Sequence, residues 1–191
     1  MTVVRQQTVG EYLDALRSTA AVPGGGSAAA LCAAMGAGLI SMVAKLSARK
    51  ATAEADRAAL HALRPELDQL ADRLLDLSQQ DIEAYRAVID ARKSGAADAE
   101  LERAYERAAD VPLAVAGAAA RALALAADVS VRAWEMTASD LAVGNELLQA
   151  GFHGGLGNVA INLPELHGEA AVRIERAYQQ LRAAHADVSW R

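Results

Sequence analysis

Asp81 stands where the pattern asks for an apolar residue. Leu60, Leu63, Leu67, Leu70, Leu74 and Leu77 step by threes and fours, the seam of a helix packed along a partner. Continuing that spacing brings Asp81, then Ala84 and Val88, onto the same face. Burying an unpaired carboxylate is costly and raises its pKa. A seam carboxylate is therefore held by an ion pair or a cap, or it moves protons in a reaction. A second aspartate, Asp140, follows Ser139 at an expected helix start, where the helix dipole alone accounts for an acidic residue. Asn158 and Asn162 lie one turn apart on one helical face. Their amides suit either a heteroaromatic ligand or a close helix crossing. Asp140 and Asn158 are eighteen residues apart, about five full turns, so an unbroken helix would align them as well.

Other chemistries find little support. His61, His153, His167 and His185 have no metal-ligand spacing, and Cys32, the one cysteine, has no CxxC partner. No metal and no bound cofactor are expected. No nucleophile elbow, Walker A sequence or dinucleotide fingerprint occurs. The net charge is −5, and no basic stripe is interleaved with aromatics, so a nucleic-acid partner is not expected.

The other notable stretch is Pro23-Gly24-Gly25-Gly26-Ser27, which opens the apolar run Ala28 to Ala44. Three consecutive glycines do not sit in the middle of a stable helix. Ser27 reads as the N-cap of the helix that follows. The stretch is thus a bare-backbone turn feeding the positive end of a buried helix. It serves either to admit a polar or anionic ligand or to connect two packed helices tightly.

The elements that must position these residues read as helices throughout. The chain is 53% apolar but only 4% aromatic, so alanine and leucine supply the core, which suits close-packed helices better than a sheet. A first helix is expected over 8–19, with Thr8 and Glu11 as a capping box. The central helix is expected over 27–50, and a long one over 54–93 interrupted by Pro65. Another is expected over 97–127, kinked or broken at Pro112. Val129 to Met136 is a short strand-like linker or a helix start. Ser139 caps the next helix, and a last amphipathic helix covers 164–186. The uncharged run from Ser18 to Ala44 is long enough to span a membrane, but its proline, glycines and alanines suit the centre of a bundle better. The expected fold is all-α, a single domain over 1–191: a bundle of long antiparallel helices around a central small-residue-rich helix. No secretory signal is read at the N-terminus, and a cytoplasmic location is expected.

The blocks VPGGGSAAALCAAMGAGLISMVAKLS, LSQQDIEAYRAVIDA, AADVPL, SDLAVGNELLQA and GNVAINLPEL, in this order, resemble the cyclodeaminase/cyclohydrolase family of folate enzymes. This chain departs from that family's pattern at Lys45, where asparagine is frequent, and at RKATAEAD, where a lysine-rich segment ending in tyrosine is usual. The resemblance implies an all-α homodimer acting on a tetrahydrofolate substrate without a metal. It implies either hydrolysis of methenyltetrahydrofolate to formyltetrahydrofolate or cyclisation of formiminotetrahydrofolate with release of ammonia. A chain without an attached formiminotransferase favours the hydrolase. A folate-binding helical dimer without catalysis is the remaining reading. On this resemblance Asp81 or Asp140 is the proton shuttle. Pro23, Gly24, Gly25, Gly26, Ser27 and Ser139 join the substrate-binding residues, Asn158 and Asn162 orient the pterin or its bridge, and Lys45, Arg49 or Lys50 meets the glutamate tail.

Overall fold

The computed structural model describes residues 3–185. Six α-helices occur among them: α1 (Val9–Leu16), α2 (Gly25–Lys50), α3 (Glu54–Ser94), α4 (Asp98–Ser130), α5 (Ala138–Asn162) and α6 (Gly168–Ala184). Single 3-10 turns lie before α1 (Val4–Gln6), between α4 and α5 (Glu135–Thr137) and between α5 and α6 (Leu163–Glu165), and no strand is present among the described residues. The fold is all-α.

Helices α2 to α5 form an up-down-up-down ring, each packed on its two neighbours, with α2 and α4 in lighter contact across the diagonal. The register is read from individual contacts. Gly25 approaches Asn158, Ala29 approaches Gly151 and Gly154, and Gly36 approaches Gly144, so α2 and α5 run antiparallel. Ser27 meets Ser78 and Ser41 meets Asp68, which sets α2 against α3 in the same sense. Arg107 pairs with Glu83 and Arg121 with Glu66 between α3 and α4. The core these helices enclose is built from alanines of α2 and α4 and leucines of α3, with Phe152 and Leu148 from α5. Helix α6 lies against α4, burying Ile174 and joining Arg173 to Glu106 and Asp110. A smaller cluster of Val4, Tyr12, Val22 and Ile82 closes one end of the ring.

Small residues bring the staves close. A Cβ at Gly36 would stand 2.8 Å from the Gly144 carbonyl oxygen, and one at Gly155 would stand 2.8 Å from that of Pro112. Helices α2 and α4 are each long and apolar enough to cross a membrane by length and composition, and about half or more of each apolar stretch (61% and 50%) is buried inside the bundle.

Several boundaries differ from the sequence reading. The Thr8–Glu11 capping box forms, with the Glu11 carboxylate accepting from the Thr8 N–H at 2.7 Å. Helix α1 ends at Leu16 rather than 19; Tyr12 is its buried contact, and Val9 and Leu13 are exposed. Helix α2 begins two residues earlier than expected, with Gly24 at the N-cap and Ser27 inside the first turn. Neither proline breaks its helix. Pro65 removes a donor for the His61 carbonyl, and both residues lie on an exposed face, where the loss is inexpensive because the carbonyl is open to solvent. Helix α4 runs through Pro112 to Ser130. The segment after it is a turn followed by the 3-10 turn, not a strand. Thr137, not Ser139, stands at the N-cap of α5, and its hydroxyl donates to the Trp134 carbonyl at 2.7 Å. The last helix starts at Gly168, and the expected end at Ala186 lies outside the described residues.

Candidate active site

The closed end of the ring holds a cavity of about 300 Å³ lined by Ala21, Val22, Gly24, Gly25, Gly26, Asp81, Tyr85, Ala108, Asn158, Ile161 and Asn162. Four helices contribute. The glycine turn and first turn of α2 form one wall, α3 supplies Asp81 and Tyr85, α4 supplies Ala108, and the last turns of α5 supply the asparagines.

Asp81 is partly buried and sits against the start of α2. A Cβ at Gly26 would stand 2.7 Å from its Cγ and 2.8 Å from Oδ2, closer than real Cβ atoms come. The third glycine of the turn is therefore the space that the carboxylate occupies. Burial pushes the Asp81 carboxyl up to about 6, and a hydrogen bond from the Ser27 backbone N–H pulls the other way. The third residue of a helix has an N–H with no intrahelical acceptor, and an N-cap side chain normally takes it. Gly24 has no side chain, so Asp81 caps α2 from the neighbouring helix. The positive end of the α2 dipole points at the same carboxylate.

The Ser27 hydroxyl does not line the cavity. It lies 2.9 Å from the Tyr12 hydroxyl and 2.8 Å from that of Ser78, all three buried. Burial raises the Tyr12 pKa, against the pull of its hydrogen bond to Ser27.

The asparagines are fixed by backbone carbonyls. Asn158 Nδ2 donates to Gly154 O at 2.8 Å, and Asn162 Nδ2 donates to Asn158 O at 2.9 Å and to Ala108 O at 3.1 Å. The last contact explains how α4 carries Pro112 in its interior. Proline at 112 leaves the carbonyl four residues back, that of Ala108, without its helical donor. Asn162 supplies the missing N–H. With the amide nitrogens engaged on the protein, Oδ1 of each asparagine is the acceptor available to a ligand.

The structure brings together Gly24, Gly25, Gly26, Asp81, Asn158 and Asn162 from the sequence-read set, with Pro23 and Ser27 directly behind the turn. It does not bring Lys45, Ser139 or Asp140. Helix α5 is unbroken, so Asp140 does share a face with Asn158, but about 27 Å further along. Lys45 lies about 30 Å along α2 from the glycine turn, exposed to solvent. Arg49 and Lys50 are farther still, and Lys50 Nζ sits 5.1 Å over the Trp134 ring. Tyr85, Ala108 and Ile161 were not read from the sequence. Tyr85 had a signal, being one helical turn beyond Asp81. Tyr85 and Ile161 are 47% and 75% exposed, leaving an aromatic and an aliphatic side chain open at the cavity mouth. Among the described residues no group of three or more His, Cys, Asp or Glu is arranged to hold a metal ion.

The sequence profile described as formiminotransferase-cyclodeaminase matches residues 8–180. The chain belongs to this family. It is 31% identical to a methenyltetrahydrofolate cyclohydrolase of Methylorubrum extorquens, over 93% of this chain and 97% of that protein. It is 32% identical to a formimidoyltransferase-cyclodeaminase of Sus scrofa over 83% of this chain but only 31% of that longer protein. A crystal structure of formiminotetrahydrofolate cyclodeaminase from Thermotoga maritima superposes with a TM-score of 0.83 at 26% identity, covering 98% of this chain and all of that one. Membership agrees with the resemblance carried by the sequence blocks, and every cavity residue lies within the matched range.

Proposed function

We propose that this chain hydrolyses methenyltetrahydrofolate to formyltetrahydrofolate, with Asp81 as the general base and then the general acid. The observation that carries the reading is a partly buried carboxylate with a pKa near 6, held on the start of α2 inside a cavity that amide groups line. The near full-length match to a cyclohydrolase supports the choice of reaction.

The methenyl carbon bridges two nitrogens that share a positive charge. An anionic Asp81 in a partly desolvated site favours that cation over the neutral product. The carboxylate takes a proton from water as the oxygen bonds to the bridge carbon. The resulting tetrahedral carbon carries a hydroxyl between two neutral nitrogens. Asp81 returns its proton to one nitrogen as that carbon–nitrogen bond breaks, and the hydroxyl proton leaves to solvent as the formyl group forms. With the carboxylate regenerated and the product neutral, the electrostatic attraction that held the cationic substrate is lost, which assists product release. Asn158 and Asn162 Oδ1 accept from donors on the pterin edge, and Tyr85 with Ile161 contacts the aromatic part of the substrate at the mouth. The proposed chemistry asks for no metal or cofactor.

A second reading is the cyclodeaminase, favoured by the superposition on the Thermotoga protein. There Asp81 would protonate the departing ammonia after the second nitrogen closes on the formimino carbon. Met35 and Met42, exposed beside Gly38 on α2, support a homodimer formed through that face. A cytoplasmic location completes the proposal, in keeping with the single cysteine.

The test follows near-ultraviolet absorbance of methenyltetrahydrofolate with and without purified protein. Accelerated loss is expected above pH 6. No acceleration from pH 6 to 8, together with ammonia release from formiminotetrahydrofolate, would replace the first reading by the second.

A further inference from the structure

The hydroxyls behind the glycine turn acquire a direction once their protons are counted. Ser78 Oγ lies 3.0 Å from the Ser27 carbonyl oxygen, which can only accept, so Ser78 donates there and its one proton is used. The 2.8 Å contact between the two serine hydroxyls is then donated by Ser27. The 2.9 Å contact between Tyr12 and Ser27 is in turn donated by Tyr12. All three side chains are buried, Tyr12 to 5% exposure and both serines to 0%, so water does not compete for these bonds. The relay ends on the backbone of Ser27 itself. Ser27 is thus held twice by one face of α3: its carbonyl by Ser78, and its N–H by Asp81 three residues further on.

We propose that Ser78 and Tyr12 are positioning residues that keep the Ser27 peptide N–H on the Asp81 carboxylate. This role rests on the reading of Asp81 as the acid–base group. Ser78 and Asp81 lie on the same helix face, so a shift of Ser27 away from one also carries its N–H away from the other. No neighbouring cation substitutes for that N–H among the described residues lining the cavity. Tyr85 on α3 and Tyr12 on α1 are the titratable groups facing Asp81. Helix α2 offers glycines and Ser27, α4 offers Ala108, and α5 offers two asparagines and Ile161. With the relay cut, burial acts on the carboxyl with less opposition and its pKa rises.

The experiment is a carbon-13 carboxyl NMR titration of Asp81, its resonance assigned by loss in D81N, beside the pH profile of kcat/KM on methenyltetrahydrofolate. S78A is expected to move the Asp81 midpoint upward by about half a pH unit or more, and the acid limb of activity with it. Y12F, which keeps the ring, is expected to shift both in the same direction by less, because Ser27 retains its own bond to Ser78. If S78A does not fold, Y12F carries the test alone. An unchanged or lowered midpoint in the folded variants overturns the proposal. The NMR titration reads Asp81 whatever the substrate, so absence of turnover by the unaltered protein would count against the proposed reaction and not against the relay.

Discussion

Helix α5 connects two ends of the bundle that treat their polar residues in opposite ways. At its C-terminal end, Asn158 and Asn162 are bonded to backbone carbonyls and share a cavity with a partly buried aspartate. At its N-terminal end, Ser139 is exposed and Asp140 occupies an ordinary first-turn position. Both ends offer an aspartate near a helix start. The difference is whose helix start it is. Asp140 sits in the first turn of its own helix, where the dipole is complemented and water remains close. Asp81 sits in the middle of α3 and caps the start of α2, which removes water and places the charge against peptide groups. An acidic residue becomes chemically useful here because another helix, not its own, presents the positive end.

The largest expected effect tests that contrast directly. D81N keeps the shape and removes the base, and kcat/KM should fall by about a hundred- to ten-thousandfold in the absorbance assay. The same change should stabilise the fold at pH 7. The folded-state pKa of about 6 lies above the ordinary 3.8, so the protonated form is favoured by folding and the ionised form is disfavoured. The unaltered protein therefore loses stability relative to D81N as pH rises from about 4 to 6. At neutral pH the difference should be on the order of 2 kcal/mol, read by urea unfolding of both proteins at several pH values. Activity of the unaltered protein should rise through pH 6, the opposite trend.

G26A comes next. Its methyl group would overlap the carboxylate, which must move aside. Activity should drop by roughly tenfold to a hundredfold, with the melting temperature nearly unchanged because the displaced group is a side-chain tip. A large loss of stability with activity per folded molecule preserved would show that the glycine serves packing alone. N162A then removes the donors to Ala108 and Asn158. About 1 kcal/mol of stability should be lost, and KM should rise several-fold with a smaller change in kcat. The smallest effects belong to the other end: D140N and K45A should each leave kcat/KM within about twofold. A tenfold loss in either would mean that a second copy of the chain brings that end to the cavity, and the contrast between the ends would fail.

Much of this arrangement was legible in the sequence because helical periodicity is local. The leucine steps along α3 placed Asp81 in a seam, and the seam is where it lies. What periodicity does not encode is the partner across the interface. Ser27 has the chemistry of an N-cap, yet it is held by Ser78 and Asp81, more than fifty residues away in the chain, and the cap passes to a glycine. Pro112 reads as a break until Asn162 is found to replace the bond that proline removes. Lys45 and Asp140 were joined to the site by the family resemblance, while the length of an unbroken helix puts each at the far end. Tyr85 went unread although it lies one turn from Asp81, because an exposed tyrosine on a charged stretch carries no anomaly of its own.

The glycines of α5 carry a consequence for how this chain can diverge. Gly151, Gly154 and Gly155 each have a neighbour's atom less than 3 Å from where a Cβ would stand: a backbone carbonyl oxygen at Gly151 and at Gly155, and the Ala29 Cβ at Gly154. Backbone does not repack around a methyl group as a leucine does. In a saturation mutagenesis screen these three positions should form a narrow intolerant stripe, while Gly157, with open space around it, accepts substitution. Variation along this helix is then channelled to its outer face, and the distance from the asparagines to the glycine turn is inherited almost unchanged.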